Sequence, residues 1–420
     1  MKTRWMFAVI AAAIASALAV PAFARADTVT EWNQTMIAGL EAAHVTPQPS
    51  SRIAAIVQAS VFDALNGIKR RYTPYHVDAT APRGASRDAA VANAAYTALV
   101  ALIPSQKALF DRQLTATLTQ ISDDPADPGQ SVLRGLDWGE TVANAMLAWR
   151  AGDGINAVLP PYVVGTSPGD WQPTPPSFAA TPIARQFANM TPFALTSPSQ
   201  LLPAGPPPLT SERYAHDLAE VEALGSATST VRTAEQTQTA VFWQVDTPAA
   251  GWNRVADQLA AAHETTLTQN ARLLALANIA LADATIAVFN AKNTYNSWRP
   301  VTAIRALADP TWTPLLATPV HQEYPSAHTG LSSAFVSVLA SFYGNDTSFT
   351  VTSAGLPGVE REFMSFSSAL HQVEDARIYA GFHFRFSCID GTTLGNKVAD
   401  YVMHTLMQPV HGEEVGQLGG

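Results

Sequence analysis

The chain has 420 residues, enough for one large domain or two, and 47% are hydrophobic against 14% charged, so material for a buried core is ample. A net charge of -9, with no basic run, excludes a general nucleic-acid binder and makes any anion site a local one. The lone cysteine, Cys388, excludes an internal disulfide and reads as a small buried hydrophobe, so packing must supply the stability.

Residues 1–26 read as a signal peptide. Lys2 and Arg4 open it, Met6 to Val20 is apolar but short for a bilayer, and Ala24-Arg25-Ala26 is a small-x-small cleavage site. The mature chain is therefore expected to be exported, periplasmic or secreted, and to start near Asp27. From 27 to 158 the text is helical. "SSRIAAIVQASVFDALNGI" and "DAAVANAAYTALVALI" space their apolar residues by three and four, and their Ala-rich faces suit close helix packing and a homodimer. Gly152-Asp153-Gly154 closes this block.

Residues 159–209 hold 13 of the 29 prolines and no helical pattern. Such a length is either a linker or a functional wall, and the scattered Trp171, Phe178, Phe187 and Phe193 favour a packed wall. Helical text resumes over 210–410, with the chemistry gathered in about 270–408. The run from Leu273 is apolar enough to invite a membrane reading. Asp283 and two asparagines make it a buried core helix instead, so the mature chain is expected to have no membrane span. Asp283 and Asn290 are candidates to support a site from behind. After Pro300 come a short helix, a start signal at 321–330, a turn at "YGNDTS", and helices from about Val359 to His404. No stretch alternates convincingly as a strand, and the expected fold is all-α, built as helical bundles with the Pro-rich tract connecting them.

Three segments collect charge that a core disfavours. In "KNTYNSWRP", Lys292 and Arg299 are seven apart, which on one helix is two turns and roughly 20° of arc. In "HQEYPSAHTG", Ser326 reads as the N-cap of the apolar run that follows, with the free amides of Ala327 and His328 beside its hydroxyl. In "ARIYAGFHFRFSCIDG", Arg377 and His383 are six apart, and Gly381 offers the break that would bring them together. Taken alone, cations at a helix end answer the macrodipole and a buried histidine is usually structural. Taken together, Lys292, Arg299 and Arg377 can surround a tetrahedral oxyanion, Ser326 and helix amides add neutral donors, His383 can bond the central atom, and His328 can move a proton.

These segments resemble the signature shared by type 2 phosphatidic acid phosphatases, bacterial non-specific acid phosphatases and vanadium-dependent haloperoxidases. The pattern is Lys, six residues, Arg-Pro; then Pro-Ser-Gly-His; then Ser-Arg, five residues, His, three residues, Asp. Lys292, Arg299 and Pro300 match the first part, Pro325-Ser326-Ala327-His328 the second, and Arg377 with His383 the third. Ala327 stands at the usual glycine and keeps the backbone donor. Ala376 replaces a serine. Ser387 replaces the aspartate that would orient His383, so Asp390, Glu374 or a carbonyl is expected to hold its other nitrogen.

The size, the helical first half, the Pro-rich tract and "FHFRF" look most like the secreted bacterial haloperoxidases, whose fold is two four-helix bundles. That resemblance implies a vanadate cofactor bonded to His383, with its oxygens held by Lys292, Arg299, Arg377, Ser326 and the Ala327 amide. It implies hydrogen peroxide and a halide as substrates, His328 taking the peroxide proton, Lys292 polarising the peroxide, and hypohalous acid as product. His321, seven before His328, occupies a position that differs between chloride- and bromide-oxidising relatives, and a histidine there leans towards bromide or iodide. Two other readings stay open. One is a periplasmic phosphatase that acts on a phosphate ester through a phosphohistidine on His383. The other is a non-catalytic helical scaffold with a degenerate anion pocket.

Overall fold

In the computed structural model, residues 27–122, 127, 129–244 and 247–410 are described. The expected signal peptide at 1–26 lies outside the described residues. Asp27 caps the first helix, its carboxylate accepting from the Thr30 amide at 2.9 Å. The amino-terminal set is α1 (Thr28–Ala42), α2 (Pro47–Ile68), α3 (Arg87–Leu102), α4 (Lys107–Gln120) and α5 (Gln130–Arg150). Small residues bring α3 and α5 together: a Cβ placed on Gly139 would stand 2.3 Å from the Ala90 carbonyl oxygen.

The carboxy-terminal set comprises α6 (Glu212–Gly225), α7 (Ala234–Phe242), α8 (Pro248–Ala262), α9 (Leu267–Tyr295), α10 (Pro300–Leu307) and α11 (Ala327–Tyr343). A short antiparallel hairpin follows, β1 (Phe349–Thr352) with β2 (Glu360–Phe363), and then α12 (Phe366–Tyr379) and α13 (Arg385–Thr405). Helix α9 packs on α2 from one side and on α11 and α13 from the other, so it joins the two sets. It is long and apolar enough to cross a membrane, but 94% of its most apolar window is buried inside the fold. One hydrophobic core runs continuously from Val29 through α2, α9 and α11 to Met407.

Three expectations need correction. The hairpin falls where helix was expected from Val359. Each strand has only four residues, too few for alternation to register, and its apolar side (Phe349, Val351, Phe363) closes over the core. Second, α9 stops before Arg299. Asn296 adopts a left-handed conformation at φ 47°, its amide bonds the Lys292 carbonyl, and Pro300 starts α10 rather than ending α9. Third, Asp283 and Asn290 do not back a site. Asp283 accepts from the amides of Phe193, Ala194 and Leu195 at 2.6 to 2.8 Å, and Asn290 donates to the Ala188 carbonyl. Both pin the Pro-rich tract to α9.

That tract is a packed wall. Trp171, Phe187 and Phe193 are buried, while Phe178 faces solvent. Its backbone also holds the turn after α9: the Trp171 amide donates to the Asn296 carbonyl and the Trp298 amide to the Gly169 carbonyl. The sequence between Lys292 and Arg299 is thereby fixed from outside the bundle.

Candidate active site

The three charged segments converge where the carboxy-terminal end of α9, the start of α11, the end of α12 and the start of α13 meet. Lys292 is fully buried on α9 and donates to the carbonyls of Gln322 and Glu323 at 2.7 and 2.8 Å. Arg299 is equally buried. It gives Nε to the His321 carbonyl (2.8 Å) and one terminal nitrogen to the Phe382 carbonyl (2.9 Å), 3.1 Å from His383 Nε2. Its other terminal nitrogen lies 3.0 Å from His321 Nδ1. Arg377, at the end of α12, donates to the Trp243 carbonyl and to Gln244 Oε1. Lys292 and Arg299 are brought near the same point by the turn after α9, not by a shared helix face.

Gly381 makes the third segment possible. Its φ is 82°, and a Cβ there would stand 2.7 Å from the Gly225 carbonyl oxygen. The turn it forms carries His383 back over the end of α12. Close approach also fixes the second segment. A Cβ on Gly395 would stand 2.1 Å from the Gly330 carbonyl oxygen, so α11 and α13 touch backbone to backbone, and the Ser326 amide reaches the Ser387 carbonyl at 3.1 Å.

Ser326 occupies the N-cap position of α11 in an extended conformation, as expected, but its hydroxyl does not cap. The Oγ is buried and bonds nothing among the described residues. A buried hydroxyl left without a partner costs about 1–3 kcal/mol, so this one, in the loop that carries His321 and Glu323, has a proton to give to an acceptor. His328 follows in the first turn, partly exposed, and lines a cavity of about 20 Å³ with Trp243 and Trp252. Thr247 and Thr352 line both that cavity and a surface hollow of about 870 Å³.

His383 does not take the partner expected of it. Its Nδ1 lies 2.7 Å from Glu323 Oε1, which also accepts from the Phe384 amide at 3.1 Å. Asp390 is engaged by the Tyr324 hydroxyl and Glu374 by that of Thr392, while the Ser387 hydroxyl is 3.5 Å from Nδ1. Glu323 went unnoticed in the sequence although it lies inside "HQEYPSAHTG". The one available signal was a carboxylate among apolar residues and histidines in that loop.

The electrostatics follow from burial. Desolvation pushes Glu323 up to about 7, against the pull of Lys292 and Arg299. Lys292 is driven well below its usual range by burial and then by Arg299. Arg299 and Arg377 fall to about 10 for the same first reason. His328 is held neutral by burial and Arg377, and His383 by burial and the three cationic neighbours. Burial raises the Cys388 thiol, leaving it inert as expected. Lys292 and Arg299 thus act on one carboxylate while Arg377 acts on His328 and His383, an excess of basic groups that an oxyanion would correct. Among the described residues, no group of three or more His, Cys, Asp or Glu side chains is placed to hold a bare metal cation. A metal oxyanion fits the residues present: one imidazole nitrogen for the central atom, cations and an unpaired hydroxyl for the oxygens.

The family described as the VCPO second helical-bundle domain matches residues 272–412, which contain Lys292, Arg299, His321, Glu323, Ser326, His328, Arg377 and His383. No curated protein matches the chain in sequence. Among solved structures, a bacterial vanadium-dependent iodoperoxidase is 25% identical, with 91% of this chain and 96% of that chain covered and a TM-score of 0.79. The apo form of a bacterial vanadium-dependent chloroperoxidase shares the fold at 17% identity and a TM-score of 0.69, covering 84% of this chain and 93% of that one. A holo form of such a chloroperoxidase does so at 16% and 0.67, covering 92% and 94%. Residues 272–412 thus resemble the second helical-bundle domain of that family, and the chain as a whole shares the fold of these vanadium-dependent haloperoxidases.

Proposed function

We propose that this protein is an exported, vanadate-dependent haloperoxidase that oxidises iodide or bromide with hydrogen peroxide to the hypohalous acid. The observation that carries the reading is His383 Nε2, 3.1 Å from the buried Arg299 guanidinium, with Lys292 and Arg377 also acting on that imidazole and the Ser326 hydroxyl, at the start of α11, without a partner among the described residues. Because Glu323 accepts at Nδ1, the lone pair of His383 is left on Nε2, ready to bond the central atom. A vanadate held there would supply Lewis-acid chemistry for peroxide. Lys292, Arg299 and Arg377 answer the charge on its oxygens, Ser326 donates its hydroxyl proton to one of them, and the Ala327 amide at the start of α11 adds a backbone donor. Neutral His328 accepts the proton that hydrogen peroxide must lose, and Lys292 donates towards the developing negative oxygen.

His321 bears on halide choice through Arg299. Its Nδ1 accepts from the guanidinium and its ring lies 5.5 Å from that of Phe289, so it sets where Arg299 sits rather than meeting the halide alone. The iodoperoxidase likeness supports the lean towards the larger halides. Export is supported by the charged start, apolar stretch and cleavage site within residues 1–26, and by Asp27 serving as the cap of α1.

A phosphatase reading gains one specific support. The missing aspartate at Ser387 counted against a nucleophilic His383, and Glu323 supplies a carboxylate in its place. The test is direct. Purified protein is given orthovanadate, hydrogen peroxide and each halide in turn, and separately a chromogenic phosphate ester. Iodide and bromide oxidation that requires vanadate is expected. Ester hydrolysis blocked by vanadate, without halide oxidation, would select the phosphatase instead.

A further inference from the structure

Glu323 ties all three charged segments together. Its amide donates to the Ser297 carbonyl and its carbonyl accepts from Lys292, both in the first segment; it lies in the second; and its carboxylate holds His383 in the third. The residue has no solvent exposure, and its charge is favoured against desolvation by Lys292 and Arg299 and by hydrogen bonds from the Ser387 hydroxyl and the Phe384 amide. A buried carboxylate of this kind is costly unless something depends on it.

We propose that Glu323 is the positioning residue for His383, doing from the loop before α11 what a carboxylate at position 387 on α13 does in the pattern this sequence resembles. The inference rests on the oxyanion-binding reading of the site. Two geometries support it. Glu323 Oε1 is 2.7 Å from Nδ1, a full charge-assisted hydrogen bond, whereas the Ser387 hydroxyl is 3.5 Å away and too distant to fix a tautomer. The same Oε1 accepts from the Phe384 amide, so the carboxylate fixes the backbone that carries the imidazole as well as the ring. Position 387 faces the same nitrogen from the opposite segment, so the carboxylate could be moved there by substitution.

That possibility provides the test. Glu323→Gln keeps the side-chain volume and removes the charge. Glu323→Ala combined with Ser387→Asp removes the carboxylate from the loop and restores it on α13. Vanadate affinity is measured by calorimetry on the mature full-length protein, and the His383 tautomer by ¹⁵N-histidine NMR without vanadate. Glu323→Gln and Glu323→Ala are each expected to bind vanadate about 10–100-fold more weakly than the unaltered protein, the range for loss of such a supporting carboxylate. The double variant is expected to recover at least part of that affinity and the Nδ1-protonated signal. Tm, read alongside, separates positioning from folding, because a merely structural loss would not be repaired by a carboxylate at 387. Undiminished affinity in Glu323→Gln, or a folded double variant with neither affinity nor tautomer restored, would overturn the proposal. If the unaltered protein bound no vanadate, the oxyanion reading itself would fall, and the tautomer measurement would still decide the role of Glu323.

Discussion

Two clusters of buried charge lie in this molecule, and they are built on opposite principles. In the amino-terminal set, Arg52 and Arg150 converge on Asp153. Asp153 Oδ2 accepts from Arg52 Nε at 2.7 Å and from Arg150 Nη2 at 3.0 Å. The remaining contacts go to the carbonyls of Arg150, Thr191 and Pro192, and the Arg150 guanidinium lies 3.8 Å from the Phe193 ring centroid. Asp283, which feels the charge of Arg150, completes a set of two cations and two carboxylates. In the site, Lys292 and Arg299 act on Glu323, Arg377 is engaged by the Trp243 carbonyl and Gln244, and the Ser326 hydroxyl has no partner among the described residues. A cluster that closes on itself holds chain to chain. A cluster left short of negative charge and acceptors is built for something that comes and goes.

Substitutions should affect the two clusters differently. His383→Ala should abolish vanadate binding and halide oxidation, measured by calorimetry and halide assay, in protein that thermal denaturation shows to be folded. His328→Ala should retain vanadate binding and lose about 10²–10⁴ in turnover, the usual worth of a general acid–base group. Asp153→Asn should do the reverse: about 3–5 kcal/mol less stability in a denaturant titration, with vanadate affinity unchanged if the fold persists. Orthovanadate at 100 times its Kd should stabilise the unaltered protein by about 2.7 kcal/mol and Arg377→Ala by less, because a ligand of the folded state alone raises stability by mass action. A site cluster as self-sufficient as the Asp153 cluster would show neither ligand stabilisation nor its loss.

The smallest effect is a pH dependence. His321, His328 and His383 are all held below the ordinary histidine value, by burial first and nearby cations next. Unfolded histidines take up protons below a pH of about 6.5 that the folded site refuses, so their contribution is present above that pH and lost as pH falls. Glu323, raised to about 7, acts with the opposite sign, losing stability as pH rises from its unfolded value near 4.5. Asp283, raised to about 6 by burial, acts with the same sign as Glu323, so the share of the site is read by difference: from about pH 7 to 5 the Tm of Glu323→Gln should fall more steeply, or rise less, than that of the unaltered protein. Identical pH profiles of Tm in the two proteins would contradict the burial of Glu323 with a raised pKa.

Local chemistry accounts for most of what could be read along the chain. The helices, the N-cap position of Ser326, the break at Gly381 and the spacing of Lys292, Arg299, His328, Arg377 and His383 depend on residues within a turn or two of one another, where periodicity and capping operate. What could not be read depends on contacts between distant segments. The partner of His383 is 60 residues away in sequence, and choosing Glu323 over Asp390, Glu374 or Ser387 required knowing which loop the turn at Gly381 would face. The hairpin at 349–363 forms because the core beneath it accepts Phe349 and Phe363, not because four residues insist on being a strand. The sequence by itself determined which groups could serve an oxyanion. Only the tertiary structure decided which carboxylate aims the histidine, because a hydrogen bond between segments is selected by their packing and leaves no periodic trace in either one.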